Sequence, residues 1–117
     1  MSDPKPLLPL TALTYHILLA LADDDRHGYG IIKDVEERTG EAAQIETGAV
    51  YHAIRRMRSD GLIEPVPAAE RPPSEDSRRR TYRITAWGRE VLVAETERLR
   101  RLVEIADAKQ VLPVRVT

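Results

Sequence analysis

Residues 47–60 read TGAVYHAIRRMRSD, and the way this stretch divides into two faces decides the fold. At about 100° per residue, Val50, Ile54 and Met57 fall on one stripe, at i, i+4 and i+7. Gly48, His52, Arg55 and Ser59 fall on the opposite stripe, with Tyr51 and Arg56 beside it. Such a helix buries an aliphatic back and presents a basic front. The front has a definite chemistry. Arginine can pair bidentately with guanine or with phosphate. Small residues at a helix start let the backbone approach a phosphate, which the helix dipole favours. Thr47 is the expected N-cap, and Gly61 stops the helix before Leu62 and Ile63 turn back to the core.

Two further helices are expected upstream. Residues 1–9 form a proline-rich lead. Thr11 is placed to cap a first helix over 11–22, where Leu10, Leu13, Ile17, Leu18 and Leu21 keep a helical period. Asp23, Asp24 and Asp25 end it and are expected to cap the next. A calcium loop would need a longer alternating pattern with a glycine turn. The second helix spans 27–39, with Ile31, Ile32 and Val35 inward and Gly40 as its stop. Gly28 and Gly30 weaken its start and allow close packing against another element.

Downstream, LIEPV (62–66) and TYRIT (81–85) read as two short strands around a polar, proline-rich tip that carries Arg78, Arg79 and Arg80. Pro65 and Pro67 put the first strand at an edge. Arg83 alternates with Tyr82 and Ile84 and is expected to face outward. A long last helix covers about 86–109. Leu92, Leu99 and Ala106 repeat every seven residues along it, with Leu102 and Val103 between them. That narrow apolar seam calls for a partner chain, although two such spacings fall short of a coiled coil. The domains expected are therefore the lead at 1–9, a compact unit at 10–85, the last helix at 86–110 and a tail at 111–117.

Charge is segregated although the net value is only −1. Residues 1–46 carry four basic and nine acidic side chains, whereas residues 47–89 carry nine arginines against five acids. A basic middle is an electrostatic footprint to set against nucleic acid. Other chemistries lack their residues. There is no cysteine for a disulfide, thiolate site or cysteine nucleophile. His16, His27 and His52 are not spaced as metal ligands on one helix face. No Gly-rich phosphate loop or Ser-His-Asp arrangement is present, so neither an enzyme nor a bound cofactor is expected. No apolar run approaches the roughly 20 residues of a membrane span. The acidic, proline-broken start is unlike a signal peptide, and the cytoplasm is the expected location.

Helix, helix, helix, hairpin, long helix is the order of a winged helix-turn-helix followed by a C-terminal dimerisation helix: a mainly α fold with a small β-hairpin. In that fold one helix enters the major groove, about 12 Å wide, and the hairpin wing lies along the neighbouring backbone or minor groove. The arginine triplet then sits at the wing tip.

The blocks HGYGIIKDVEERTG, GAVYHAIRRMRSDGLIE and SRRRTYRITAWGREVL resemble the PadR family of transcriptional regulators over about residues 10–105. The resemblance implies a homodimer on a pseudo-palindromic operator in double-stranded DNA. It implies a repressor, released by a small-molecule effector or another signal. It also implies joining through the C-terminal and first helices, which places Leu13, Ile17, Leu92, Leu99, Leu102, Val103 and Ala106 at the contact. This chain departs from the family at Glu46-Thr47, where Ser-Pro is common, and at Trp87, where a small residue is usual.

Thr47, Gly48, Tyr51, His52, Arg55, Arg56, Arg78, Arg79 and Arg80 are the DNA-binding candidates. Six of them have a plainer alternative: packing for Tyr51, a solvated face for His52 and Arg55, and a solvated tip for the triplet. Arg58 is set to pair with Asp60 or Glu64. Gly28 and Tyr29 are read as structural. Trp87 is read first as packing in the joint between wing and last helix, and second as an effector-stacking residue. A winged-helix protein-interaction module without specific DNA binding is the alternative function, supported by Glu46 and the acidic first half.

Overall fold

The computed structural model describes residues 3–40, 46–70 and 80–113. The elements run α1 (Ala12–Ala22), β1 (Arg26–His27), α2 (Gly28–Thr39), α3 (Thr47–Ser59), β2 (Ile63–Pro65), β3 (Thr81–Ile84) and α4 (Ala86–Ala108). Short 3-10 turns at Lys5–Leu7 and Ala68–Glu70 precede α1 and follow β2. The winged helix-turn-helix order is as expected, and the helix boundaries fall within a residue of those read from periodicity.

The caps explain where the helices begin. Thr11 Oγ1 accepts from the Thr14 amide at 3.2 Å and starts α1. The aspartates do not cap α2. Asp23 instead closes α1 and lies 3.7 Å from Arg26. His27 takes the cap, its Nδ1 accepting from the Gly30 amide at 3.0 Å, as an N-cap side chain does for a helix's unpaired first donors. Thr47 is not a cap either. Glu46 holds that position without a side-chain cap bond, and Thr47 is the first helical residue.

The core gathers the inward stripes. Ile17, Leu18 and Leu21 of α1 meet Ile31, Ile32 and Val35 of α2, Val50, Ile54 and Met57 of α3, and Val91 and Leu92 of α4, closed by Leu62, Ile63 and Tyr82. Each fully buried aliphatic side chain contributes roughly 1.5–3 kcal/mol.

Among the described residues the sheet has three antiparallel strands in the order β1-β3-β2, not the two of a simple hairpin. Arg26 pairs with Tyr82 and His27 with Thr81. A two-residue strand is too short to show a period in sequence, and it exists only because β3 is there to pair with it. On the other side Glu64 lies opposite Arg83 and Pro65 opposite Tyr82. β2 is thus an edge strand, where a proline without an N–H is tolerated.

Gly88 sets the start of α4. A Cβ at this position would lie 2.0 Å from the Leu62 carbonyl oxygen. Thr85 clamps the same turn, its amide donating to that oxygen at 3.0 Å and its hydroxyl to the Gly61 carbonyl at 2.6 Å. Among the described residues, no helix is long and apolar enough to cross a membrane.

Candidate nucleic-acid interface

Burial of Val50, Ile54 and Met57 at 1% exposure or less locks the rotation of α3. Its other side is therefore fixed outward. Thr47, Gly48, Tyr51, His52, Arg55, Arg56, Arg58 and Ser59 are all exposed. At Gly48 an added Cβ would meet nothing within 4 Å, so no contact within the described chain requires glycine there.

Tyr51 joins α3 to the start of α2. A Cβ on Gly28 would lie 2.6 Å from its Cε1, so the ring covers a position only glycine can offer. The ring is nonetheless 40% exposed, which makes packing and surface roles compatible. Tyr29 follows, 52% exposed, with its ring stacked on His27 at a centroid distance of 6.3 Å. The Lys33 ammonium stands 5.4 Å from the Tyr29 centroid. An aromatic and basic patch thus adjoins the exposed face of α3.

The wing base completes the surface. Arg55, Arg58 and Ser59 share a shallow groove with Ile63, Glu64 and Pro65 of β2. Arg58 does not take the partner expected for it. Its guanidinium stands 6.0 Å from the Tyr82 ring centroid, while Glu64 is held by Arg83 Nε at 3.0 Å. Arg83 Nη1 also donates to Glu70 at 2.9 Å. The hydrogen bond to Glu64 is the main cause that raises the Arg83 pKa, with desolvation opposing it and the Glu70 charge adding to it. Arg83 therefore offsets Glu64, the one acid among the described residues of the groove, and leaves their net charge to Arg55 and Arg58. Arg80 is exposed at the entry to β3. Arg78 and Arg79 lie outside the described residues.

The residues assigned to dimer contact divide into two sets. Ile17 and Leu92 are corrections: they are 0% and 6% exposed within this chain, because α1 and α4 use those side chains against each other and the core. Leu13 is partly buried against the same cluster. Farther along α4, Leu99 and Ala106 are half-buried, and Leu102 and Val103 are 50% and 51% exposed. Ile105, Val111 and Leu112 extend this apolar surface. Trp87 is half-buried against the core, its Cδ1 3.9 Å from a Cβ built at Gly61, in the joint between the α3–β2 turn and α4.

Glu95 escaped the reading of the sequence. It is 1% exposed on the inner side of α4. Its position invited suspicion, since Val91, Glu95 and Leu99 follow at i, i+4 and i+8 and put an acid in an apolar stripe, with Arg98 one turn on.

Comparison with known proteins agrees with this fold. The family model described as the transcriptional regulator PadR-like family matches residues 17–94. A protein of Lysinibacillus sphaericus called uncharacterized protein X is 30% identical over 91 residues, which cover 78% of this chain and 81% of that protein. An uncharacterized 37.1 kDa protein in transposon TN4556 of Streptomyces fradiae is 34% identical over 86 residues, 74% of this chain. The match spans only 22% of that protein's length. Among solved structures, a PadR family transcription regulator from Clostridium difficile R20291 superposes with a TM-score of 0.70 at 26% identity, over 86% of this chain and 99% of that one.

Proposed function

The chain belongs to the PadR-like family of transcriptional regulators, and on that premise we propose that it acts as a homodimeric repressor of a pseudo-palindromic DNA operator, released by a small ligand or signal. The observation that carries this reading is α3: its aliphatic side is sealed in the core, and its exposed side presents His52, Arg55 and Arg56 beside the groove shared with β2. His52 and Arg55 lie centrally and read base edges. Thr47, Gly48, Tyr51 and Arg56 lie at the start and flank and hold phosphates. Arg78, Arg79 and Arg80 anchor the wing.

A two-fold dimer must present its recognition helices about 34 Å apart, one turn of duplex. The projecting part of α4, with Leu99, Leu102, Val103 and Ala106, supplies the contact between copies. A ligand that prefers a dimer of another spacing shifts the population away from DNA.

Fluorescence anisotropy on duplex from upstream of the gene, beside a scrambled duplex, tests this. Binding to the first alone that survives about 150 mM salt is expected, since sequence-blind phosphate binding fades steeply as salt rises. Arg55→Ala is expected to cost about 1–3 kcal/mol on the specific duplex only, whereas Arg80→Ala weakens both duplexes alike and lowers the salt slope by about one. Equal losses from the two substitutions would refute separate reading and anchoring roles.

A further inference from the structure

Three polar ties bind α4 to the first helix. Arg89 Nη2, on the first turns of α4, donates to the carbonyl of Ala22, the last residue of α1, at 2.7 Å. The Tyr15 hydroxyl and Thr96 Oγ1 are 2.7 Å apart. Glu95 Oε2 accepts from the Leu10 amide, just ahead of α1, at 2.8 Å and from Arg98 Nη2 at 3.1 Å, while Oε1 accepts from Arg98 Nε. Only the last of these ties is a buried charge. The Glu95 side chain is 2% exposed, and that of Arg98 37%. Arg98 offsets the cost of removing this carboxylate from water, and the Leu10 amide, which precedes the helix, uses it as its acceptor.

Apolar contacts such as those of Leu92 tolerate small rotations of one helix on another. A buried carboxylate does not, because any displacement that lengthens its hydrogen bonds leaves a charge unsatisfied in a dry site. α4 is thus pinned in angle at its midpoint. Beyond Glu95 it runs on to Ala108, thirteen residues at about 1.5 Å each, or about 20 Å. A rotation of about 10° at Glu95 would move that end by about 3.4 Å, close to the rise of one base pair.

We propose that Glu95 is a positioning residue that fixes the angle of α4 against the winged helix and thereby sets the half-site spacing the protein accepts. It touches neither DNA nor, by its burial, a partner chain. The proposal rests on the dimeric operator reading above and deepens it. If the ends of α4 are joined about a two-fold axis, freedom at Glu95 becomes freedom in the separation of the two α3 helices.

The test uses full-length protein and a half-site obtained by selection from random duplex. Duplexes carry two copies of the half-site with centres about 9–12 base pairs apart. Affinity is measured for wild type, Glu95→Gln and Tyr15→Phe, with thermal stability and single half-site binding measured in parallel. Wild type is expected to fall at least about tenfold one base pair from its optimum, and Glu95→Gln less than about threefold, with single half-site affinity unchanged. A general loss of stability would lower every duplex alike and leave the profile's shape intact. A folded Glu95→Gln protein with the wild-type profile overturns the proposal. Should Glu95→Gln fail to fold, Tyr15→Phe combined with Arg98→Gln decides in the same way, since it removes one direct tie to α1 and the guanidinium that holds Glu95 from within α4, and keeps the carboxylate. A wild-type protein without any spacing optimum would overturn the dimeric reading itself, an outcome distinct from equal optima in both proteins.

Discussion

Replacing Gly88 by alanine tests how tightly the wing is joined to α4. Helix propensity favours the change by up to about 1 kcal/mol. The tertiary structure opposes it more strongly. The new Cβ would lie 2.0 Å from the Leu62 carbonyl oxygen, 2.9 Å from its carbon and 3.0 Å from Ile84 Cγ1. The nearest obstacle is backbone and cannot swing aside. Relief requires a shift of about 1 Å or more between α4 and the α3–β2 turn. That shift weakens the bonds from the Thr85 amide and hydroxyl to Leu62, now 3.0 and 3.1 Å, at about 1 kcal/mol each. Overpacking adds about 1–3 kcal/mol. The net loss is about 2–4 kcal/mol, which for a domain of this size lowers the melting temperature by roughly 10 °C. Urea denaturation at constant m-value, with a thermal melt beside it, measures both. A Gly88→Ala protein as stable as wild type would show that the joint yields easily, and the account of a rigid start for α4 would fall.

Gly48→Ala should behave in the opposite way. Among the described residues its Cβ meets nothing within 4 Å, so stability should rise by up to about 1 kcal/mol, while operator affinity drops about tenfold if a phosphate approaches that backbone. Unchanged affinity would place the DNA elsewhere. Acid titration probes Glu95. The Arg98 hydrogen bond is the main cause that holds its pKa below the ordinary 4.5, with burial opposing and the Leu10 amide assisting. The unfolded chain therefore binds the proton more readily, and the contribution is present above the unfolded value and lost as pH falls through the lower folded one. Denaturation of wild type and Glu95→Gln from pH 7 downward should show their stabilities converging through and below the carboxylate range. A constant difference would contradict the assignment.

The exposed face of α3 was legible because period alone divides the stretch: once Val50, Ile54 and Met57 are inward, Arg55 and His52 must be outward. The same logic placed α1, α2 and α4 and the stops at Asp23, Gly40 and Gly61. It misjudged the caps of α2 and α3, where the choice of capping residue is decided by a residue or two of local geometry. It also assigned Ile17 and Leu92 to a partner, since an apolar stripe looks the same whether its cover comes from the same chain or another.

Local sequence thus determined the helices, the two wing strands and the outward basic face, since each depends on residues within one or two turns. Tertiary structure alone decided the rest: the third strand at Arg26 and His27, the Tyr51 ring over Gly28, the Leu62 carbonyl against Gly88, Arg83 between Glu64 and Glu70, and Glu95 beneath Leu10. These contacts join residues as many as 85 positions apart. No period within one segment records which distant carbonyl, ring or amide the folded chain brings against it.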